Sequence, residues 1–312
     1  MPTANRIDVH HHIIPPGYGD WLREQGLGAE GAPLPSWSKE QALAVMDRHG
    51  IAAALLSLSG PGVHLGDDEQ ARAKAREINS YTAEVVASAP DRFGFFATVT
   101  LPDVEGAVAE AGYALDELQA DGVILFANSG GLYLGDPAFE PLLAALEARS
   151  ATVLVHPGEL PGGGVAGLPP VAVDYPFDTT RAAVNLAMTG ALSRYPSIKF
   201  ILPHGGGFLP YQAYRVAPVI AQGGDPGAAL QTLRQFYFDT GLCGSPAALP
   251  SLLAFADPQR LMYGSDWPYA PEFAIDYFDG LFDAYPMDAE SRVRIERANA
   301  EALFPRLAGG GR

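Results

Sequence analysis

The sequence has a single cysteine, Cys243, in 312 residues, which excludes an internal disulfide and any cysteine-based metal cluster. Basic residues are scarce: 20 Lys plus Arg stand against 36 Asp plus Glu, a net charge of −16. So acidic a surface repels phosphate backbones and argues against nucleic acid as a partner. No apolar run reaches the length of a membrane span, and the first six residues are too short and polar for a signal peptide. The expectation is a soluble, cytoplasmic protein with no membrane partner. What is abundant is core material: 48% of residues are hydrophobic and 18% charged, enough for one large α/β unit.

Short β-rich apolar runs alternate eight times with stretches at helical spacing. Strands are predicted at 6–12, 52–59, 93–99, 122–127, 152–156, 199–204, 236–240 and 261–266. Helices are predicted near 38–49, 68–89, 103–119, 137–149, 179–194, 209–222, 246–255 and 289–303. Ser38 ahead of Gln41, Asp103 ahead of Gly106, and Asp136 before Pro137 read as helix starts. Strands joined through helices imply parallel βαβ units, and eight of them predict a closed (β/α)8 TIM barrel, an α/β fold, over 1–312 as one domain. No Gly-x-Gly-x-x-Gly follows the first strand, which disfavours a doubly wound dinucleotide-binding sheet. Two long connections, 13–37 and 157–178, follow strand C-termini. The second is rich in Gly and Pro and reads as a lid or a solvated loop. A frayed tail is expected over 308–312.

Seven histidines exist, and His10, His12, His156 and His204 end predicted strands 1, 5 and 6. Asp266 ends strand 8, and Asp239 nearly ends strand 7. In a closed barrel these positions converge on the C-terminal mouth, where chemistry is built. Imidazole nitrogen with a carboxylate oxygen suits one divalent transition metal, zinc first and manganese second. On strand 1, alternation puts Asp8, His10 and His12 on one face and Ile7, Val9 and His11 on the other. With Ile7 and Val9 against the helices, His10 and His12 would point inward and chelate one ion, while His11 would not. If His10, His12, His156 and Asp266 hold the metal, His204 is free as acid or base. The only lysines are Lys39, Lys74 and Lys199, so no lysine at the end of strand 4 can bridge a second metal. The site is expected to be mononuclear.

Five segments together resemble the metal-dependent amidohydrolase superfamily, and more narrowly its amidohydrolase-2 branch. They are Ile7-Asp-Val-His10-His-His12-Ile-Ile-Pro15, Val155-His156-Pro157, Leu202-Pro-His204-Gly-Gly-Gly-Phe-Leu-Pro210, Phe238-Asp239-Thr240 and Tyr263-Gly-Ser-Asp266-Trp-Pro268. That branch contains the aminocarboxymuconate-semialdehyde decarboxylase and the salicylate- and resorcylate-type decarboxylases. The resemblance implies His10, His12, His156 and Asp266 as metal ligands and His204 as the group that acts on substrate or water; in a decarboxylation the proton would come from Asp266 or His204. It implies that Arg215 reaches a neighbouring subunit's site to grip a carboxylate, hence a homodimer or higher homo-oligomer. The semialdehyde decarboxylase's other substrate arginine has no counterpart, since the first helix offers Lys39 and Arg48.

Aromatic residues at predicted strand ends, Phe126, Tyr175 and Trp267 among them, suggest walls for a small planar aromatic carboxylate. Non-oxidative decarboxylation of a hydroxybenzoate such as 6-methylsalicylate is the leading expectation. Metal-dependent hydrolysis of a lactone, ester or amide would use the same ligands. A purely structural metal would leave His204 without a task. Cys243, after strand 7, is read as structural.

Overall fold

Runs of Val, Ile, Leu, Phe and Ala form parallel strands buried on both faces, as a sheet covered by helices requires. The structure, a computed structural model, describes residues 5–27 and 34–309. The strands are β1 (Arg6–His12), β2 (Ile51–Ser57), β3 (Phe93–Thr98), β4 (Gly122–Phe126), β5 (Thr152–His156), β6 (Lys199–Leu202), β7 (Tyr237–Asp239) and β8 (Leu261–Met262). Each pairs in parallel with the next in chain order. Isolated bridges Asp8–Tyr263 and His11–Trp267 return the end of β8 to β1 and close the barrel.

Around it lie α1 (Tyr18–Glu24), α2 (Lys39–Arg48), α3 (Asp68–Ser88), α4 (Val104–Asp116), α5 (Glu140–Glu147), α6 (Pro170–Met188) and α7 (Ala191–Arg194). The chain continues through α8 (Leu209–Ala221), α9 (Pro226–Leu233), α10 (Ala248–Phe255), α11 (Glu272–Ala284), α12 (Ala289–Val293) and α13 (Asn299–Leu303). The predicted starts are realised. Ser38 accepts from Gln41 N at 3.1 Å, Asp103 from Gly106 N at 3.0 Å and Asp136 from Ala138 N at 2.9 Å. No helix of the described residues is long and apolar enough to cross a membrane.

Two apolar layers hold the barrel. The outer one joins strand residues such as Leu56, Phe95, Val123 and Val155 to the helices. The inner one takes residues of the opposite parity, Ala53, Leu55, Phe96, Ile124, Leu154, Ile201 and Met262. Ala300, Phe304 and Leu307 plug its N-terminal end, with Phe304 edge-on to Phe96 at 5.8 Å.

The structure corrects the expected facing of β1. Ile7 and Val9 belong to the inner layer, not the helix side. The register with β2 then slips between Asp8 and His11, so that His12 pairs beside Ser57. This bulge switches the strand's parity, and it is what turns His10 and His12 inward above Ile7 and Val9. Asp8 clamps it, accepting from His10 N at 3.0 Å, Ser265 N at 3.0 Å and Ser265 Oγ at 2.6 Å.

Other elements also differ from expectation. The predicted strands reaching 204 and 266 stop at Leu202 and Met262, because His204 and Asp266 adopt left-handed backbone (φ 54° and 63°). The helix expected over 179–194 starts nine residues earlier, at Pro170, despite Pro176 within it, and Gly190 at φ 76° separates α6 from α7. The connection 13–37 holds α1, and residues 28–33 lie outside the described residues. The helices α9 and α11 were not anticipated. Residues 308 and 309 belong to a 3-10 turn (Pro305–Gly309) with Leu307 fully buried, and 310–312 lie outside the described residues.

Candidate metal centre and active site

The four predicted ligands come together. One ligand atom from each of His10, His12, His156 and Asp266 lies within 4.8 Å of all the others, and all four residues are buried. The Nε2 atoms of His10 and His12 are 3.1 Å apart, and Asp266 Oδ1 stands 3.1 Å from the first and 3.0 Å from the second. Each imidazole is oriented through its other nitrogen. His10 Nδ1 meets Asp239 Oδ2 at 3.0 Å, His12 Nδ1 meets Ser57 O at 3.1 Å, and His156 Nδ1 meets Pro157 O at 2.8 Å. Nδ1–H groups tied to acceptors leave the Nε2 lone pairs for an ion. His156 Nε2 is buried with no protein partner, a donor atom aimed at the cluster. Three imidazoles and one carboxylate therefore fit a single divalent cation.

Electrostatics points the same way. Burial opposes charge on His10, but Asp239 and Asp266 outweigh it and hold this imidazole up to about 10. Burial, then the neighbouring His12 and His10, pushes His156 well below its usual value, so it is neutral and able to donate its lone pair. Burial would raise Asp266, yet His10 and hydrogen bonds from His10, His12 and His204 hold it well below the usual carboxylate range. The cluster thus attracts positive charge, and a cation placed there displaces the His10 Nε2 proton.

His204 lies beside the cluster, its Nε2 3.3 Å from Asp266 Oδ2. Left-handed backbone at a residue other than glycine costs about 1–3 kcal/mol and must be held by its surroundings. Asp239 supplies that support, with Oδ1 accepting from His204 N at 2.9 Å and Gly241 N at 2.8 Å while Oδ2 holds His10. Asp266 is fixed in turn through its N–H to His10 O at 2.7 Å. Two glycines make room for this. A Cβ on Gly264 would lie 2.9 Å from His10 Cβ, and one on Gly207 (φ 62°) only 2.1 Å from Pro176 O of α6.

His156, His204 and Asp266 floor a cavity of about 1170 Å³. Tyr175 lines it, as expected, from the first half of α6. Two other predicted wall residues do not. Trp267 is turned away by its bridge to His11 and lies against that imidazole, centroids 4.9 Å apart. Phe126 stands behind His156, ring centroids 6.2 Å apart and close over Gly62. Arg215 is exposed on α8 and does not line the cavity of its own chain. Sequence reading missed the supporting roles of Asp239, Ser57 and Asp8. The signal for Asp239 was present: a carboxylate at the end of a barrel strand, facing two inward histidines.

The family model described as amidohydrolase matches residues 7–306. The chain belongs to the amidohydrolase family. This amidohydrolase is 38% identical over 323 residues to decarboxylase macB of Penicillium terrestre, covering 97% of this chain and 96% of the relative. It is 36% identical over 315 residues to a 6-methylsalicylic acid decarboxylase of Penicillium expansum, covering 97% of each. A crystal structure of an amidohydrolase II superposes with a TM-score of 0.91 at 31% identity, covering 96% of this chain and 100% of that one. The barrel is thus that of an amidohydrolase, with His10, His12, His156 and Asp266 gathered at its mouth.

Proposed function

We propose that this amidohydrolase is a metal-dependent, non-oxidative decarboxylase of a small hydroxybenzoate-type acid, with 6-methylsalicylate as the reference substrate. The observation that carries the reading is the placing of the ligand cluster at the floor of a cavity that no lysine or arginine lines among the described residues. A bound acid therefore finds its counter-charge at the floor. The names of the relatives at 36% and 38% identity support the reaction class.

His10, His12, His156 and Asp266 would hold one divalent ion. Zinc is the first assignment and manganese the second, since imidazole with carboxylate serves both. Bound there, the cation supplies the charge that positions and polarises a carboxylate and the hydroxyl beside it. The chain's own residues do the rest. Tyr175 and the apolar walls near the floor offer faces against which the ring packs and is oriented. The His204–Asp266 pair holds a proton between Nε2 and Oδ2 at the cavity floor. That proton passes to the ring carbon as its bond to the carboxyl carbon breaks; the C–C electron pair forms the new C–H bond, carbon dioxide leaves, and solvent reprotonates the pair. Arg215, exposed on α8 beside the exposed Tyr211 and Tyr214, completes the reading as a group offered to a partner subunit of a homodimer.

The test is stoichiometric. Zinc- or manganese-loaded protein with 6-methylsalicylate should yield one carbon dioxide and one 3-methylphenol per acid. No carbon dioxide from a panel of hydroxybenzoates defeats the reading, and solvent oxygen incorporated into the carboxylate formed from a lactone or ester instead assigns a hydrolase.

A further inference from the structure

We propose that the preferred acid carries on its ring an apolar substituent larger than methyl, and that the outer part of the cavity is the subsite for it. The proposal rests on the decarboxylase reading of this site and names its substrate class more narrowly. An apolar cavity of roughly 150 Å³ already accepts a benzene ring, and whole drug-sized ligands occupy roughly 300–1,000 Å³. The cavity here measures about 1170 Å³. A single ring with its carboxyl, hydroxyl and methyl groups leaves most of it filled only by water.

The distribution of polarity says what belongs in the remainder. The polar groups of His156, His204 and Asp266 sit together at the floor, where the carboxylate end of the substrate is held. Away from them the walls are mostly apolar, with Pro170 and Val171 of α6, Ala248 and Leu252 of α10, and Ala274 and Phe278 of α11, joined by the small hydroxyl residues Ser245 and Ser251. Among the described residues that line it there is no Lys, Arg, Glu, Asn or Gln. A charged substituent would lose its water there with no opposite charge to replace it, and a heavily hydroxylated one would find only a few serine and tyrosine hydroxyls, whereas an alkyl or aryl group loses nothing. The rim is also apolar and left exposed: Val171 is 57% and Phe208 40% accessible. Clustered exposed apolar groups at a pocket mouth mark a ligand groove.

The experiment is calorimetric titration of the metal-loaded protein with 3-methyl-, 3-propyl- and 3-pentylphenol, the decarboxylation products of 6-alkylsalicylates. It is paired with kcat/KM for the corresponding acids. Each buried methylene should tighten binding about fourfold, so propyl should bind about sixteenfold more tightly than methyl. Ala248→Phe and Ala274→Phe, checked for metal content and melting temperature, should each flatten this gradient by filling the subsite. Affinity that is flat or falls from methyl to propyl overturns the proposal, as does a gradient that survives both substitutions. A gradient in phenol binding with no carbon dioxide from any acid supports the subsite and overturns the reaction assignment.

Discussion

Asp239→Asn separates the metal centre from the fold that carries it. The carboxylate is fully buried and makes three contacts: His10 Nδ1 at 3.0 Å through Oδ2, and the N–H groups of His204 at 2.9 Å and Gly241 at 2.8 Å through Oδ1. An asparagine that keeps its oxygen on the two backbone donors presents an amide N–H₂ to His10. His10 must then accept at Nδ1 and carry its proton on Nε2, where the ion needs a lone pair. The flipped amide is worse, since it aims N–H₂ at two N–H groups. Loss of such an orienting partner typically weakens a metal site 10- to 100-fold, about 1.4–2.8 kcal/mol. The assay is metal affinity by competition with a calibrated chelator, with circular dichroism confirming the barrel. The expected result is a 10- to 100-fold weaker site in a folded protein, with activity regained at high metal concentration. Wild-type metal affinity in Asp239→Asn would refute the reasoning.

Three further outcomes follow from the same geometry. His204→Asn should leave metal content unchanged and lower kcat roughly 100- to 10,000-fold, as loss of a proton-transfer group does; steady-state kinetics on metal-quantified protein reads this. Phe304→Ala removes the ring that plugs the barrel floor against Phe96 and should cost about 3–5 kcal/mol in denaturant unfolding, with no direct contact to the site. Arg72 beside Asp103, at 2.7 Å, holds that N-cap carboxylate down to about 2, below its ordinary 3.8. Its charge therefore stabilises the fold above pH 4, and the contribution disappears as pH falls towards 2. Asp103→Asn keeps the cap and loses only this part, so its deficit against wild type should shrink from pH 6 to pH 3. Asp103→Ala should lose about 1 kcal/mol more at every pH.

How much of this could be read from sequence depends on whether the signal is local. The eight strands were legible because barrel strands are continuous apolar runs, and the ligands because polar residues at the ends of such runs have few other uses. The facing of β1 was not legible, since alternation assumes a regular strand and the slip between Asp8 and His11 depends on Asp8 reaching Ser265, 257 positions away. The walls were misjudged for a related reason. Left-handed turns at His204 and Asp266 end the strands early, and Trp267 is carried outward onto His11. The helix α11 was overlooked although Ala274, Ile275, Phe278 and Phe282 have helical spacing. Gly280 weakens it as an isolated segment, and it is held by buried Ile275 and Phe282 and by Asp279 on the buried Arg6 at 2.9 Å.

The grip of His10, His12, His156 and Asp266 on one cation is tested most directly by anomalous diffraction from crystals of the metal-loaded protein. One transition-metal peak per chain is expected, bounded by three Nε2 atoms and an Asp266 oxygen. An absent peak, or one elsewhere in the barrel, would contradict it.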